Sequence, residues 1–291
     1  MKRVVCLFML VLLSVTISIP LTASDIEDNV KYYNSDNGSL YLQPLADAFG
    51  AALNSGLYHD GKVEKFGLHL TFEVRVMGAI ISDDQTTFTS VQEESMPAGK
   101  SIPTIFGSKD EVTVEGLDFN PKGLYDYKVL PIPVPQLSIG SFAGTEINLR
   151  FFTTSVSDEI GDLKIFGFGV RHSLSQYILL FPVDVALSYF QQSFEIGNIV
   201  EAKARYIGIQ ASKKFSIMTL YGGFGMQSSS LDIQYTYEGS TETSEISFDL
   251  DGKSRSCLTL GLGLDLTYFK LHADYNIASQ QVFSLGVGFG I

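Results

Sequence analysis

Phe283-Ser284-Leu285-Gly286-Val287-Gly288-Phe289-Gly290-Ile291 is the stretch on which the fold turns. Every second residue is large and apolar, and between them lie serine and glycine. A strand points successive side chains to opposite faces. One face of this strand is therefore greasy and the other nearly bare. Leu258, Leu260, Leu262, Leu264, Leu266 and Tyr268 repeat the pattern against Thr259, Gly261, Gly263, Asp265 and Thr267. So do Phe66, Leu68, Leu70, Phe72, Val74 and Val76 against Gly67, His69, Thr71, Glu73 and Arg75. The runs reach about ten residues, the length that crosses a bilayer at a tilt.

Ten such strands are expected, with eight, twelve or fourteen as the other even counts. They are Val63–Gly78, Val134–Phe142, Glu146–Thr153, Asp162–His172, Val183–Phe194, Ile199–Lys213, Ser216–Tyr237, Lys253–Tyr268, Phe269–Ala278 and Gln281–Ile291. The fold class is all-β, an antiparallel transmembrane β-barrel occupying 63–291. An even count returns both ends of the barrel to one side, as in bacterial barrels. Ser82 to Pro133 is rich in Gly and Pro and without clear period, and is read as the largest outer loop. The alternative assignment there is one more hairpin from Thr86–Val91 and Glu111–Gly116. Pro131, Pro133 and Pro135 mark the exit from the loop, because proline donates nothing to a ladder. The polar, acidic stretches Ser155–Gly161 and Glu238–Gly252 suit further outer loops.

The N-terminus has the order of a secretory signal peptide. Lys2 and Arg3 precede an apolar run from Val4 to Ile19, and the small residues Thr22, Ala23 and Ser24 follow. The run is short for a helix that must cross about 30 Å of hydrocarbon. Residues 1–23 are expected to be removed. Cleavage takes Lys and Arg from 20 to 18 against 32 Asp and Glu, so the net charge moves from −12 to −14. A basic nucleic-acid footprint is absent. Only Cys257 remains after cleavage, so an internal disulfide framework is excluded. No second run of some twenty apolar residues exists, which excludes a bundle of membrane helices. A closed barrel is the other form that satisfies every backbone group in lipid.

Residues 24–62 precede the first strand. Within them, 41–56 place Leu45, Phe49 and Leu53 at helical spacing, with Pro44 in the first turn and Asn54-Ser55-Gly56 as a stop. Ala46, Ala48, Gly50, Ala51 and Ala52 make this helix slim. It either caps the periplasmic mouth of the barrel or enters the lumen as a plug. Gly167, Gly169, Gly223, Gly225, Gly261, Gly263, Gly286, Gly288 and Gly290 fall on the inner face. They leave room for a plug or permit the sharp curvature of a small barrel.

The strand registers put a charge ladder on the same wall: His69, Glu73, Arg75, Arg150, Arg171, Asp184, Arg205, Asp265, His272 and Asp274, with Asn148 and Lys203 beside them. In a narrow lumen these must pair or meet water. The alternative is a selectivity site, with Arg75, Arg150 and Arg171 as an anion-attracting strip. No catalytic set emerges. His59, His69, His172 and His272 lack the spacing of a helical zinc site and have no cysteine pair beside them. No metal and no cofactor are expected. His172-Ser173 would point to opposite faces of a strand, so a hydrolytic pair needs a partner from elsewhere. Asp83-Asp84 and Glu93-Glu94 read as solvated loop acids in preference to a calcium site. Gly222-Gly223-Phe224-Gly225 lacks the Lys-Ser/Thr of a phosphate loop.

Several segments resemble a family of outer-membrane barrel proteins of Bacteroidota and related Gram-negative bacteria. They are Leu40 to Tyr58, Pro135 to Gly140, Gly167 to Gln176, Phe181 to Asp184 and Thr219 to Gly225. The family has no assigned activity, so the resemblance implies location and architecture only. A looser likeness is to the fatty-acid transporter barrels, which also carry a plug before the first strand. This chain is too short for their fourteen long strands, and their ligand residues are not carried over. The expected partners are outer-membrane lipid, the barrel-assembly machinery that reads an apolar last strand with Phe289, and a small amphipathic solute. The expected function is passive transport of that solute, not enzymatic. A non-conducting structural or surface-interaction barrel is the alternative, and a lipid-modifying enzyme the third reading.

Overall fold

Alternation along the chain leaves backbone N–H and C=O groups on both edges of every strand, and the wall satisfies them by closing on itself. The computed structural model describes residues 30, 33, 35–93, 96–117, 119–157, 161–178, 182–238 and 243–290. The expected signal peptide, 1–23, lies outside them. The strands are β1 (Phe66–Ile80), β2 (Thr87–Thr89), β3 (Ser101–Pro103), β4 (Val129–Phe142), β5 (Thr145–Ser157), β6 (Gly161–Ser173) and β7 (Asp184–Ile196). They continue as β8 (Val200–Phe215), β9 (Met218–Glu238), β10 (Thr243–Asp251), β11 (Ser256–Leu266), β12 (Phe269–Ile277) and β13 (Val282–Gly290).

Ten of them form the ring, in the order β1, β4, β5, β6, β7, β8, β9, β11, β12, β13. The last pairs with the first, Val74 opposite Val287. Every expected strand is present. One more, β10, lies where a loop was expected. Its Phe248 and Leu250 are buried, so it folds back on β9 and joins the interior. The expected hairpin partner of Thr86–Val91 is also corrected. Thr87–Thr89 pairs with Ser101–Pro103, not with 111–116.

The two ends differ. Two-residue turns join β4 to β5 at Ala143-Gly144, β8 to β9 at Ser216-Ile217 and β11 to β12 at Thr267-Tyr268. Ala143 and Gly144 both have positive φ, 49° and 72°, as a tight hairpin turn matched to strand twist demands. The opposite end carries the long segment 81–128. Between the ends, the outer wall is an apolar belt. Leu68, Phe151, Phe166, Ile207, Leu260 and Leu285 are more than half exposed. Monomers dissolved in water do not expose so continuous an apolar surface. No helix among the described residues is long and apolar enough to cross a membrane.

Pro131 and Pro133 depart from expectation, because the strand starts at Val129 and not at Val134. Pro131, Pro133 and Pro135 lie inside β4, opposite Gly78, Val76 and Val74 of β1. Spaced by two, they deplete one edge of the strand, and the β1 ladder runs through them. The depleted edge is therefore the one facing β5. Among the described residues the β4–β5 ladder stops at Gln136 opposite Arg150. From there towards the long-loop end, 129–135 and 151–155 are not paired with each other, although each keeps its ladder on the other edge.

A helix, α1 (Ser35–Leu53), occupies the lumen. It starts six residues before the expected 41, which leaves Pro44 mid-helix. A proline there removes one intrahelical bond, and burial offsets that loss. Leu42, Leu45, Phe49 and Leu53 are at most 1 % exposed. Each large side chain taken out of water contributes about 1.5–3 kcal/mol. Phe49 packs on Phe194 of β7 with ring centroids 5.0 Å apart. At Gly50 the helix meets β9 so closely that a Cβ would sit 1.9 Å from the Ser229 hydroxyl. The helix begins at the long-loop end. There Asn37 bonds Glu93 and the Val91 carbonyl, and the Ile105 N–H donates to the Tyr41 carbonyl. Its last turn points towards the short turns, where the Lys65 carbonyl accepts from Gly144.

The inner glycines have a third use besides the two expected. Four of them are the floor under a ring from a neighbouring strand. Phe190 lies over Gly169, Tyr206 over Gly225, Tyr221 over Gly261 and His272 over Gly286. A Cβ on Gly169 would lie 2.2 Å from the Phe190 ring. We expect Gly169→Ala to cost about 1–3 kcal/mol by overpacking. Its guanidinium unfolding midpoint should fall, and the second substitution Phe190→Leu should recover part of the loss. An unchanged midpoint in Gly169→Ala would refute this account of the glycines.

Candidate functional site

The last turn of a helix leaves carbonyls without intrahelical donors, and the end of α1 is buried. Alternation on the surrounding strands turns Glu73 and Arg75 (β1), Gln136 (β4), Glu146 and Arg150 (β5), Arg171 (β6) and Gln192 (β7) inward. Arg150 reaches the Leu53 and Ser55 carbonyls at 3.3 Å each and also the Gly56 carbonyl. Arg75 donates to the Gly56 carbonyl at 2.5 Å, and Gln192 donates to that of Leu53. These cations face the negative end of the helix dipole. Gln136 and Gln192 hold the Arg150 guanidinium in place at 2.9 and 2.5 Å.

Below this cap the charges are paired. Arg75 holds Glu73 through Nε at 3.1 Å and Nη2 at 2.5 Å. Arg171 bridges Glu146 at 2.9 Å and Asp60 at 2.7 Å. Asp60 sits on the loop between α1 and β1. Burial would raise its carboxyl; the His59 ring and the Arg171 guanidinium beside it outweigh that and hold it at about 2. Asp274 is buried and accepts from Tyr221 at 3.0 Å and Asn276 at 2.8 Å. His59 and His272 stack, with centroids 5.2 Å apart, beside Glu73.

The lumen therefore has two storeys. The long-loop half is an apolar core around α1, with Ile132, Val134, Ile165 and Phe194 from the wall. The short-turn half is polar and ends in a cavity of about 460 Å³ open at the mouth. His69, Asp184 and Asp265 line that cavity with His59 and Asp60. His69 faces Glu146 at 3.4 Å, and Asp265 pairs with Lys214 at 2.5 Å.

The structure brings together His69, Glu73, Arg75, Arg150, Arg171, Asp184, Asp265, His272 and Asp274 along the lumen, as the registers expected. Arg205 is a correction, and Lys203 with it. Both point outward and are exposed, Lys203 pairing with Glu201 at 2.8 Å. The inward positions of β8 are Ala202, Ala204, Tyr206 and Gln210. The strand was misread by one residue because its outer face carries charge near the long-loop end. The anion-attracting strip is not present either, since carboxylates engage Arg75 and Arg171 and the helix end engages Arg150.

His172 bonds Thr145 at 2.9 Å and Tyr177 at 3.0 Å, and the neighbouring Ser173 is turned inward. Asp83 pairs with Lys128 at 2.7 Å, and Glu93 accepts from Asn37. The sequence reading missed His59, Asp60, Glu146 and Gln192 as site residues. Glu146 and Gln192 share the inward parity of Arg150 and Phe194 and were legible from it. His59 and Asp60 sit on an aperiodic loop and had no such signal.

This geometry defines a β-barrel with its own N-terminal segment inside the lumen. The whole chain, residues 1–291, matches the family of unknown function DUF6588, and it belongs to that family. No curated protein matches it. Among solved structures it is similar to Ail, the attachment invasion locus protein of Yersinia pestis, crystallised with the heparin analogue sucrose octasulfate. The identity is 10 % and the TM-score 0.28, over 78 % of this chain and 100 % of that one. It is also similar to a loop L8 deletion mutant of OmpT, an outer membrane protein of Vibrio cholerae, at 11 % identity and TM-score 0.28, over 77 % and 98 %. A Pseudomonas aeruginosa FadL homologue matches at 10 % and 0.26, over 89 % and 95 %. Superpositions this loose carry no argument, and the barrel assignment rests on strand register alone.

We expect Arg150→Met to strand the carbonyls at the end of α1, at about 1–3 kcal/mol for each buried acceptor left unmet. Amide hydrogen exchange in residues 50–56 should accelerate. Arg150→Lys should not restore protection, because an ammonium lacks the planar fork. Unchanged exchange in Arg150→Met would show that the guanidinium does not hold the helix.

Proposed function

We propose that this chain is an outer-membrane barrel that passes a small amphipathic solute sideways through its wall, with a lumen closed to ions. The expected cleaved signal peptide and the apolar belt support export and a lipid setting. In bacterial barrels short turns face the periplasm and long loops the exterior. By that rule the 81–128 segment and the start of α1 face outward, and the polar cavity opens to the periplasm.

The observation that carries the reading is the unzipped seam between β4 and β5. Backbone groups at a barrel wall in lipid must be satisfied within the barrel. A run of three alternate prolines that prevents this is a feature with a cost, placed where a gap has a use. Behind the seam lies the apolar storey, with Leu130, Ile132 and Val134 buried and Phe152 partly so. An apolar tail taken up at the long-loop end would meet apolar side chains all the way to the seam, whereas a sugar or an ion would not.

The triple substitution Pro131→Val, Pro133→Val and Pro135→Val restores the three missing donors. In proteoliposomes we expect it to reduce uptake of a long-chain fatty acid to the level of protein-free vesicles. The shifted gel mobility of the unboiled, folded barrel should stay unchanged. Full uptake by the folded triple variant would contradict lateral passage. Absence of uptake by the unaltered protein would favour a non-conducting barrel that serves surface contact.

A further inference from the structure

We propose that His59, Glu73 and His272 form a binding site for a divalent transition-metal ion of the zinc class in the polar storey. The three come from the loop after α1, from β1 and from β12, and one ligand atom of each lies within 4.8 Å of the others. Glu73 Oε1 is 3.5 Å from His59 Nδ1 and 3.8 Å from His272 Nδ1. Ligand atoms held about 2.1 Å from a tetrahedral zinc ion sit about 3.4 Å from each other. The two spacings to Glu73 are within a few tenths of an ångström of that value before any ion is bound, and the two imidazoles close the triangle within 4.8 Å.

Two further observations point at a ligand. Both ring nitrogens of His272 and Glu73 Oε1 have no hydrogen-bond partner among the described residues. Their side chains are 1 % and 0 % exposed. Buried polar groups ordinarily find partners, so His272 Nδ1 and Glu73 Oε1, which face each other without one, are open to a ligand. The wall is also shaped for the convergence. β13 lies between β1 and β12, and its Gly286 and Gly288 are bare. The His272 ring lies over Gly286 and the Glu73 side chain over Gly288, so the two reach each other across the intervening strand.

The surroundings fit an outer shell. Asp60 Oδ2 faces His59 Nε2 at 3.6 Å. A carboxylate in that place is one short step from the hydrogen bond that orients a metal-binding imidazole through Nε2–H and directs Nδ1 to the ion. Arg75 anchors the other Glu73 oxygen. Loading the site asks for two movements. Arg75 Nη2 must release His59 Nδ1, now 3.1 Å away, while keeping Glu73 through Nε. The imidazole planes must turn so that both Nδ1 lone pairs meet. Two imidazoles and one carboxylate select zinc, iron(II), nickel or copper(II) over calcium and magnesium, which prefer oxygen donors. The mouth cavity, lined by His59 and Asp60, gives an ion a route to the His59 side of the cluster.

The full chain, purified in detergent and stripped with a chelator, should take up one zinc ion per molecule in equilibrium dialysis. Cobalt(II) at the same site should give the intense visible absorption of a tetrahedral centre. His272→Ala and His59→Ala should each lose the ion, whereas His172→Ala, remote from the cluster, should keep it. If His272→Ala does not reach the folded gel form, His59→Gln decides, because that residue lies on a loop outside the strands. No saturable ion in the unaltered protein, or undiminished binding in folded His59→Gln, would overturn the site.

Discussion

The end of α1 sets the constraint on which the interior depends. Its terminal carbonyls are sealed inside a barrel and need donors that water would supply elsewhere. Arg150, Arg75 and Gln192 supply them. Guanidinium groups brought into that space need compensation in turn. Glu73 answers Arg75, and the helix end together with two glutamines answers Arg150. Arg171, one strand further round, is answered by Glu146 and Asp60. The polar storey is thus a consequence of ending a helix halfway down a barrel, and the apolar storey is the consequence of starting it at the far end.

This arrangement inverts the usual division between a barrel wall and its contents. Across its middle the outer face is a plain apolar belt, because lipid asks only for apolar side chains. The inner face is specific, residue by residue. Glycines give floor to aromatics from adjacent strands, and a slim helix face packs within contact of Ser229. Among the described residues the wall relaxes between β4 and β5, where prolines remove donors along about half of one ladder. A sealed lumen and an unsealed flank together make sideways movement of an amphipathic molecule the economical reading of the fold.

What the sequence made legible follows the same division. Period-two alternation marked all ten barrel strands, because one face of each meets lipid along most of its length. The signal failed where that condition failed. Thr243–Asp251 folds back on β9 instead of joining the ring, and it read as an acidic loop. Lys203 and Arg205 lie on the outer face of β8 near the long-loop end, and they drew the register inward by one. Pro131, Pro133 and Pro135 read as the exit from a loop, with the strand starting only at Val134, although the β1 ladder carries β4 straight through them from Val129. The start of α1 was missed because its first turn takes its partners from residues more than fifty positions away. His59 had no chance of detection from spacing, since its neighbours Glu73 and His272 come from the first and ninth strands of the ring.

The claim beneath all of this is that α1 fills the lumen. Single-channel recording in planar bilayers tests it most directly, comparing the full protein with a variant lacking Ser35–Leu53 whose folded state is verified by its unboiled gel mobility. The account requires a silent full-length protein and steady ionic conductance through the deletion variant. Equal conductance in the two, whether open or silent, would mean that the helix does not occlude the barrel.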